Sequence, residues 1–491
     1  MKNKFYITTP IYYANAKPHI GHAYTSVAAD ILARWNRQRG RKTFLLAGTD
    51  EHGLKIQKKA EEAGKNPQQF VNEIAEEFKN LCRKLNVRYD NFIRTTDNNH
   101  TKAVQKVLRT LYDKGAIYKG AYEGLYCAGC EQFKNKSDLI NGKCPEHNVK
   151  PEFVKEESYL LKMREIQPRI IKKIKSGELE IIPKKRRNEI LSFLENNKLE
   201  DISVSRKNVS WGIPLPFGEN HTTYVWVDAF LNYLTGIGWN GSLPLKKREI
   251  KLSPFKKGRV GEGFLNFWPP NLQIIGKDIL RVHATIWPAI LTHLEIELPE
   301  RIFAHGHILS GGKKMSKTLG NVISVDEMVE KFGADGTRYL LMSAGTFGED
   351  IDVTMERMVE KYNADLANGL GNLVSRVIKL MEHKVKSSEQ ITTDNKQSLE
   401  QVASFIGSLE LDKALDYIWN IVRDNNKYIE ENKPWELVKT DEKKFKEVME
   451  RLAQNLYLIS ELLVSFMPET AEKIKTALKT REKIVLFQRV K

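Results

Sequence analysis

Two histidines three residues apart, in His19-Ile20-Gly21-His22, directly follow Pro18, where a loop gives way to an amphipathic helix. A helix start presents unpaired N–H groups and the positive end of the dipole, which suits a triphosphate. Both imidazoles can face such an anion and donate to it, while Gly21 leaves room for a planar base to approach the backbone. Far downstream, Gly311-Gly312-Lys313-Lys314-Met315-Ser316-Lys317-Thr318-Leu319-Gly320-Asn321 reads as a basic loop with glycines as hinges. Its lysines are point charges for phosphate, which a mobile loop brings up as charge develops. Taken singly, each feature has a plainer reading: two polar residues at a helix start, and a solvated charged turn.

Three of the four cysteines fall in Cys127-Ala128-Gly129-Cys130 and Cys144-Pro145-Glu146-His147. Two short chelating pairs separated by a loop fit a closed tetrahedral zinc site of three thiolates and one imidazole. With all four positions filled by protein, one structural Zn²⁺ per chain is expected; a free-standing nucleic-acid-binding zinc ribbon is the other reading. Cys82 lies in a helical apolar pattern and reads as a small buried residue.

These residues need a scaffold. A strand at 5–9, a loop with Pro10 and Pro18, a helix at 21–38 and a second strand at 43–47 ending in Gly48-Thr49-Asp50-Glu51-His52-Gly53 open a doubly wound parallel sheet. Ligands of such sheets bind beyond the carboxyl ends of the strands, where both polar clusters fall. From 121 to 211 short strands and turns suggest an insertion; strand-like segments return at 222–227, 272–275 and 302–304, with a helix near 279–291. Beyond 355 the pattern is amphipathic helices, with Pro434 and Pro468 at helix boundaries. The expected division is 1–118 and 213–310 for the two halves of a Rossmann-type domain, 119–212 for a zinc-bearing connective insertion, 311–355 for the basic loop and linker, and 356–491 for a helical bundle.

With 491 residues, 41% apolar and 29% charged, the chain has material for two or three packed domains and is far from a disordered composition. The formal net charge of +16 favours a polyanionic partner without separating RNA from DNA; a lysine-rich surface explains it about equally well. No secretory signal opens the chain, and its longest apolar stretch, near 457–467, is too short to span a bilayer. No membrane association and a cytoplasmic location are expected.

Occurring together, His19-Ile20-Gly21-His22 and Lys314-Met315-Ser316-Lys317-Thr318 resemble the HIGH and KMSKS signatures of class I aminoacyl-tRNA synthetases, with Thr318 replacing the final serine. Thr9-Pro10-Ile11-Tyr12-Tyr13-Ala14-Asn15, Gly48 to Gly53, Tyr224-Val225-Trp226-Val227-Asp228, Gly276-Lys277-Asp278-Ile279 and Lys433-Pro434-Trp435 narrow the resemblance to the methionyl-tRNA synthetase family, over nearly the whole chain. The resemblance implies an α/β fold: a Rossmann-type doubly wound parallel sheet with a zinc-binding connective insertion and a C-terminal all-α anticodon-binding bundle. It implies catalytic roles for His19, His22, Lys314 and Lys317, and ATP contacts from these with Gly21, Asp278 and Ser316, Mg²⁺ accompanying the nucleotide. Methionine-binding positions are Ile11, Tyr13, Asp50, Trp226, Tyr233, Val282 and His283, Val282 standing where phenylalanine is common; aromatic and apolar groups suit a thioether. Asn372, Arg376 and Trp435 correspond to the anticodon readers, and Cys127, Cys130, Cys144 and His147 to the zinc ligands.

The implied partners are tRNA(Met), ATP and L-methionine, with no DNA. The chain stops after the bundle, without the OB-fold tRNA-binding domain of many members, so a monomer is expected. A class I synthetase for another amino acid and a catalytically lapsed RNA-binding protein are the competing readings. The basic stretch at 243–263 reads as a tRNA contact or a solvated loop.

Overall fold

Apolar runs such as Phe5-Tyr6-Ile7 and Leu45-Leu46-Ala47 are buried along their strands, as a parallel sheet covered on both faces requires. The computed structural model describes residues 3–127, 129, 132–134, 139–145, 148–207, 209–242, 266–315, 321–381 and 393–491. Two compact units form: Met1–Pro18, Arg41–Asn80 and Arg88–Ala304 make the first, and His19–Gly40, Leu81–Val87 and His305–Lys491 the second.

The first unit is built on a seven-stranded sheet ordered Tyr12–Tyr13, Lys42–Asp50, Lys4–Thr8, Leu272–Gly276, Arg301–His305, Glu180–Ile182, with Asn91–Arg94 also pairing with Lys42–Asp50. Lys4–Thr8 runs parallel to both of its neighbours. The core on this sheet buries Tyr6, Phe230, Tyr233 and Trp287 completely or nearly so. Within the stretch read as a connective insertion, Ile117–Cys127, Glu152–Leu161, Gln132–Lys134 and Ile202–Ser203 make a separate antiparallel sheet. Glu180–Ile182 leaves that stretch and pairs parallel with Arg301–His305 in the main sheet.

One segment departs from its sequence reading. At 222–227 only Thr222–Thr223 is a strand, and Val225–Phe230 is a helix. A short, mostly buried apolar run shows no clean period of two, so periodicity cannot separate strand from helix there.

In the second unit, helices Val325–Met342, Met355–Lys361, Asn372–Met381, Thr393–Gly407, Leu411–Asn432, Pro434–Thr440, Glu442–Leu463 and Pro468–Thr480 join Ile20–Gln38. Pro434 and Pro468 open their helices at the first position, where the missing N–H costs nothing. Ile20–Gln38 is fastened through Asp30. That carboxylate, without solvent exposure, takes Arg34 at 2.7 Å and Arg338 at 2.8 Å. Arg338, equally buried, also donates to the carbonyls of Leu85 (3.1 Å), Ser465 (2.8 Å) and Phe466 (2.8 Å). A π-helical segment, Tyr362–Gly371, runs directly into Asn372–Met381. Among the described residues, no helix is long and apolar enough to cross a membrane. The basic stretch at 243–263 lies outside the described residues.

Candidate active site

At the carboxyl end of Lys42–Asp50, the two-residue strand Tyr12–Tyr13 pairs with Thr49 and Asp50, setting Tyr13 opposite Asp50. Gly48 permits this: a Cβ there would collide with the Ile93 carbonyl oxygen and stand 2.9 Å from Ile11 Cγ2. Ile11, Tyr13 and Trp226 pack, half-buried, on the cluster that buries Tyr233 and Val282. His283 points one ring nitrogen, Nδ1, at the Ile279 carbonyl (2.9 Å), so this nitrogen carries the proton and Nε2 accepts from the Tyr233 hydroxyl at 2.8 Å. Burial pushes His283 down to about 4, so the ring is neutral near pH 7. The rings of Phe230 and His283 meet edge to face at 4.9 Å, and Trp226 lies 5.8 Å from Phe230. The buried Trp226 indole N–H has no hydrogen-bond partner among the described residues. All seven expected methionine positions thus belong to this unit, on or beside one aromatic and apolar cluster. Asp278, exposed in the turn Lys277–Ile279, follows the carboxyl end of Leu272–Gly276.

Sequence reasoning assigned no role to the residues that fix the loop bearing Asp50. Glu51, fully buried, accepts from Arg94 Nε (2.7 Å) and Nη2 (2.9 Å) and from the hydroxyls of Thr49 and Thr96. Asp228 receives His52 on one oxygen and His100 on the other, both at 2.7 Å. Burial alone would raise the Asp228 carboxyl, but the two imidazoles hold it below the usual carboxylate range. Trp211 closes the turn by donating its indole N–H to the Glu51 carbonyl at 2.6 Å. His52 and Asp228 stood inside recognised motifs; His100 carried no local signal.

In the second unit, His19 is the N-cap of Ile20–Gln38. Its Nδ1 accepts from the Gly21 N–H, and His22 Nδ1 accepts from the His19 N–H, each at 3.1 Å. With both Nδ1 atoms accepting, each neutral ring carries its proton on Nε2. The rings stack at 3.8 Å, and burial, then the neighbouring His19, lowers His22 well below the usual histidine range. Gly21 has a local reason: a Cβ would stand 3.0 Å from His19 Cε1. The same helix is tied to His305, whose Nε2 lies 2.8 Å from Thr25 Oγ1.

Gly311 and Gly312 both have positive φ, +61° and +72°, and form a two-residue hairpin turn joining Ile308–Ser310 to Lys313–Lys314. Here they are turn residues, where the sequence suggested hinges. Lys314 therefore lies on a strand, its backbone paired with Leu309. Ser316, Lys317 and Thr318 lie outside the described residues.

Of the four expected zinc ligands, Cys127 ends Ile117–Cys127, and the carbonyl of Cys144 accepts from the Asn148 N–H at 2.7 Å. Both thiols are fully buried and neither is in a disulfide, which suits soft metal ligands. Cys130 and His147 lie outside the described residues.

On the helical bundle, Asn372 and Arg376 occupy successive turns of Asn372–Met381. Arg376 pairs with Glu430 at 2.6 Å and holds its guanidinium 5.4 Å from the Trp435 ring centre. Lys433, at φ +44°, ends Leu411–Asn432 and starts Pro434–Thr440, and this sharp turn leaves Trp435 39% exposed.

Comparisons with known proteins agree with these features. A family described as "tRNA synthetases class I (M)" matches residues 5–150 and 135–378, and the "Anticodon binding domain of methionyl tRNA ligase" matches 382–487. The methionine–tRNA ligase of Clostridium acetobutylicum is 42% identical over 97% of this chain and 73% of its own length. That of Caldanaerobacter subterraneus subsp. tengcongensis is 40% identical over 100% and 76%. The Mycobacterium tuberculosis methionyl-tRNA synthetase solved with methionyl-adenylate superposes with a TM-score of 0.87 at 34% identity, covering 97% of this chain and 93% of that one. By these matches, and by a parallel sheet followed by a helical anticodon-binding domain, the chain belongs to the methionyl-tRNA synthetase family of class I aminoacyl-tRNA synthetases.

Proposed function

We propose that this chain activates L-methionine with ATP to methionyl-adenylate and transfers the methionyl group to the 3′-terminal adenosine of tRNA(Met), with a division of labour among its residues. The observation that carries the assignment is the aromatic cluster with a neutral His283 bonded to Tyr233, on which Tyr13 packs opposite Asp50. Tyr13, Trp226, Tyr233 and His283, with Ile11 and Val282, receive the thioether side chain, and Asp50 pairs with the substrate ammonium. The methionine carboxylate attacks the α-phosphate and expels pyrophosphate, and a ribose hydroxyl then attacks the carbonyl carbon of the adenylate and releases AMP; neither step needs a covalent protein nucleophile. His19 and His22, each an Nε2–H donor, bind phosphate oxygens together with Lys314 and Lys317; Gly21 and Ser316 line the nucleotide and Asp278 binds its ribose. Mg²⁺ accompanying ATP would supply further positive charge to the phosphates beside these residues. Pyrophosphate exchange measured with each amino acid in turn tests the assignment; exchange that does not depend on methionine overturns it.

Zinc fits the two buried thiols. Cys127, Cys130, Cys144 and His147 would hold one structural Zn²⁺, which would cross-link the turns of the knuckle. Metal analysis of freshly purified protein should return about one zinc per chain, falling in Cys127→Ser. An unchanged zinc content in that variant rules out this ligand set.

Asn372, Arg376 and Trp435 read the anticodon: amide and guanidinium groups for base edges, indole for stacking on an unstacked base. Trp435→Ala should lower kcat/KM for tRNA about 5- to 150-fold, since stacking on an aromatic side chain is worth about 1–3 kcal/mol per base. Methionine-dependent pyrophosphate exchange should be unchanged, because the ring is partly exposed and the fold does not rest on it. Equal loss of both activities would mean that Trp435 serves the fold.

A further inference from the structure

The segment after the last helix, residues 481–491, has no regular secondary structure, yet it is held at defined points along Tyr362–Gly371. Asn363 grips the backbone of Val490 from both sides, donating to its carbonyl (2.8 Å) and accepting from its N–H (3.0 Å). Arg489 Nε donates to Asn368 Oδ1 at 2.9 Å. The Phe487 ring meets Tyr362 edge to face at 5.9 Å and lies against the bare backbone of Gly371. Val485 and Phe487 thereby form one wall of a groove of about 390 Å³ whose other wall includes Gly371, Asn372 and Ser375.

We propose that this groove receives one unstacked base of the tRNA anticodon, with Val485 and Phe487 as specificity-determining contacts. The inference rests on the anticodon reading of Asn372, Arg376 and Trp435. The volume, about 390 Å³, lies toward the low end of the roughly 300–1,000 Å³ range of small-molecule sites and has room for a base. The Asn372 amide and the Ser375 hydroxyl make no hydrogen bond among the described residues and offer donors and acceptors to a base edge, while Gly371 lets the base approach the backbone. Opposite them Val485, 70% exposed, presents an apolar face of the kind on which a base packs. The groove is continuous with the proposed stacking site: Asn372 and Arg376 are about 6 Å apart along the helix axis, and Arg376 reaches the Trp435 ring. Arg481, Lys483, Arg489 and Lys491 outnumber Glu482 on the same segment, a charge that suits a nucleic-acid backbone.

The test uses the full chain and tRNA(Met) transcripts carrying CAU or a single substitution at each anticodon position. Val485→Asp and Phe487→Ala should each lower kcat/KM for the CAU transcript about 5- to 150-fold, the range for losing one base contact. They should also reduce discrimination at one anticodon position while leaving pyrophosphate exchange unchanged. Unchanged discrimination at all three positions overturns the proposal. Should Phe487→Ala impair exchange through folding, Val485→Asp decides, because its side chain is exposed. If Trp435→Ala cripples charging while both segment variants charge normally, only the groove inference falls; if Trp435→Ala also charges normally, the anticodon reading falls with it.

Discussion

Asp50→Asn is expected to lower kcat/KM for methionine in pyrophosphate exchange about 30- to 5,000-fold. That range corresponds to the roughly 2–5 kcal/mol lost when one partner of a buried, hydrogen-bonded charge pair is removed. Asp50 closes the strand Lys42–Asp50 with 8% exposure, and its neighbour Glu51 is locked by Arg94 and two threonine hydroxyls. The loop therefore cannot easily bring a replacement charge to the same place. Asparagine keeps the size, removes the charge and turns one acceptor oxygen into a donor, so the fold should hold. A substrate ammonium bound alike in ground and transition states would show the loss mainly as a higher KM. Charging of tRNA should fall in step, since it consumes the adenylate, in contrast to Trp435→Ala. A kcat/KM within threefold of the parent would remove Asp50 from the methionine site.

Of the two contiguous motifs, His19 to His22 was legible as a helix start because a loop-to-helix junction is local, while Gly311-Gly312, read as hinges, form a tight turn. The sheet was legible from its apolar runs. Less visible were contacts that the fold makes between distant stretches. His52 and His100 reach Asp228 across 176 and 128 residues, and no spacing rule joins them. The Asn363 clamp on Val490 spans 127 residues, and the segment it holds offers no periodicity of its own. The helix at 225–230 was missed for a different reason, since so short and largely buried a run carries too little pattern to identify it. The grouping of Ile20–Gln38 with residues from 305 onward likewise depends on a charge pair between remote segments.

That pair supports the second large prediction: Arg338→Ala should destabilise the protein by about 3–5 kcal/mol, read as a lower urea midpoint at constant slope. The mutation would leave Asp30 without its second cation at zero exposure, and strip donors from the carbonyls of Leu85, Ser465 and Phe466. Arg338→Lys should recover little, because a single ammonium cannot span four acceptors that the planar guanidinium meets at once. Replacing both groups, as in Arg338→Met with Asp30→Leu, removes the carboxylate along with its cation but leaves Arg34 without its 2.7 Å partner, so it should recover only part of the loss seen in Arg338→Ala. Because the helix fastened at Asp30 begins with His19 and His22, Arg338→Ala should also depress pyrophosphate exchange under conditions where the chain remains folded. A loss of stability below 1 kcal/mol, or exchange unaffected by the substitution, would show that this buried arginine neither anchors the helix nor helps to place the two histidines.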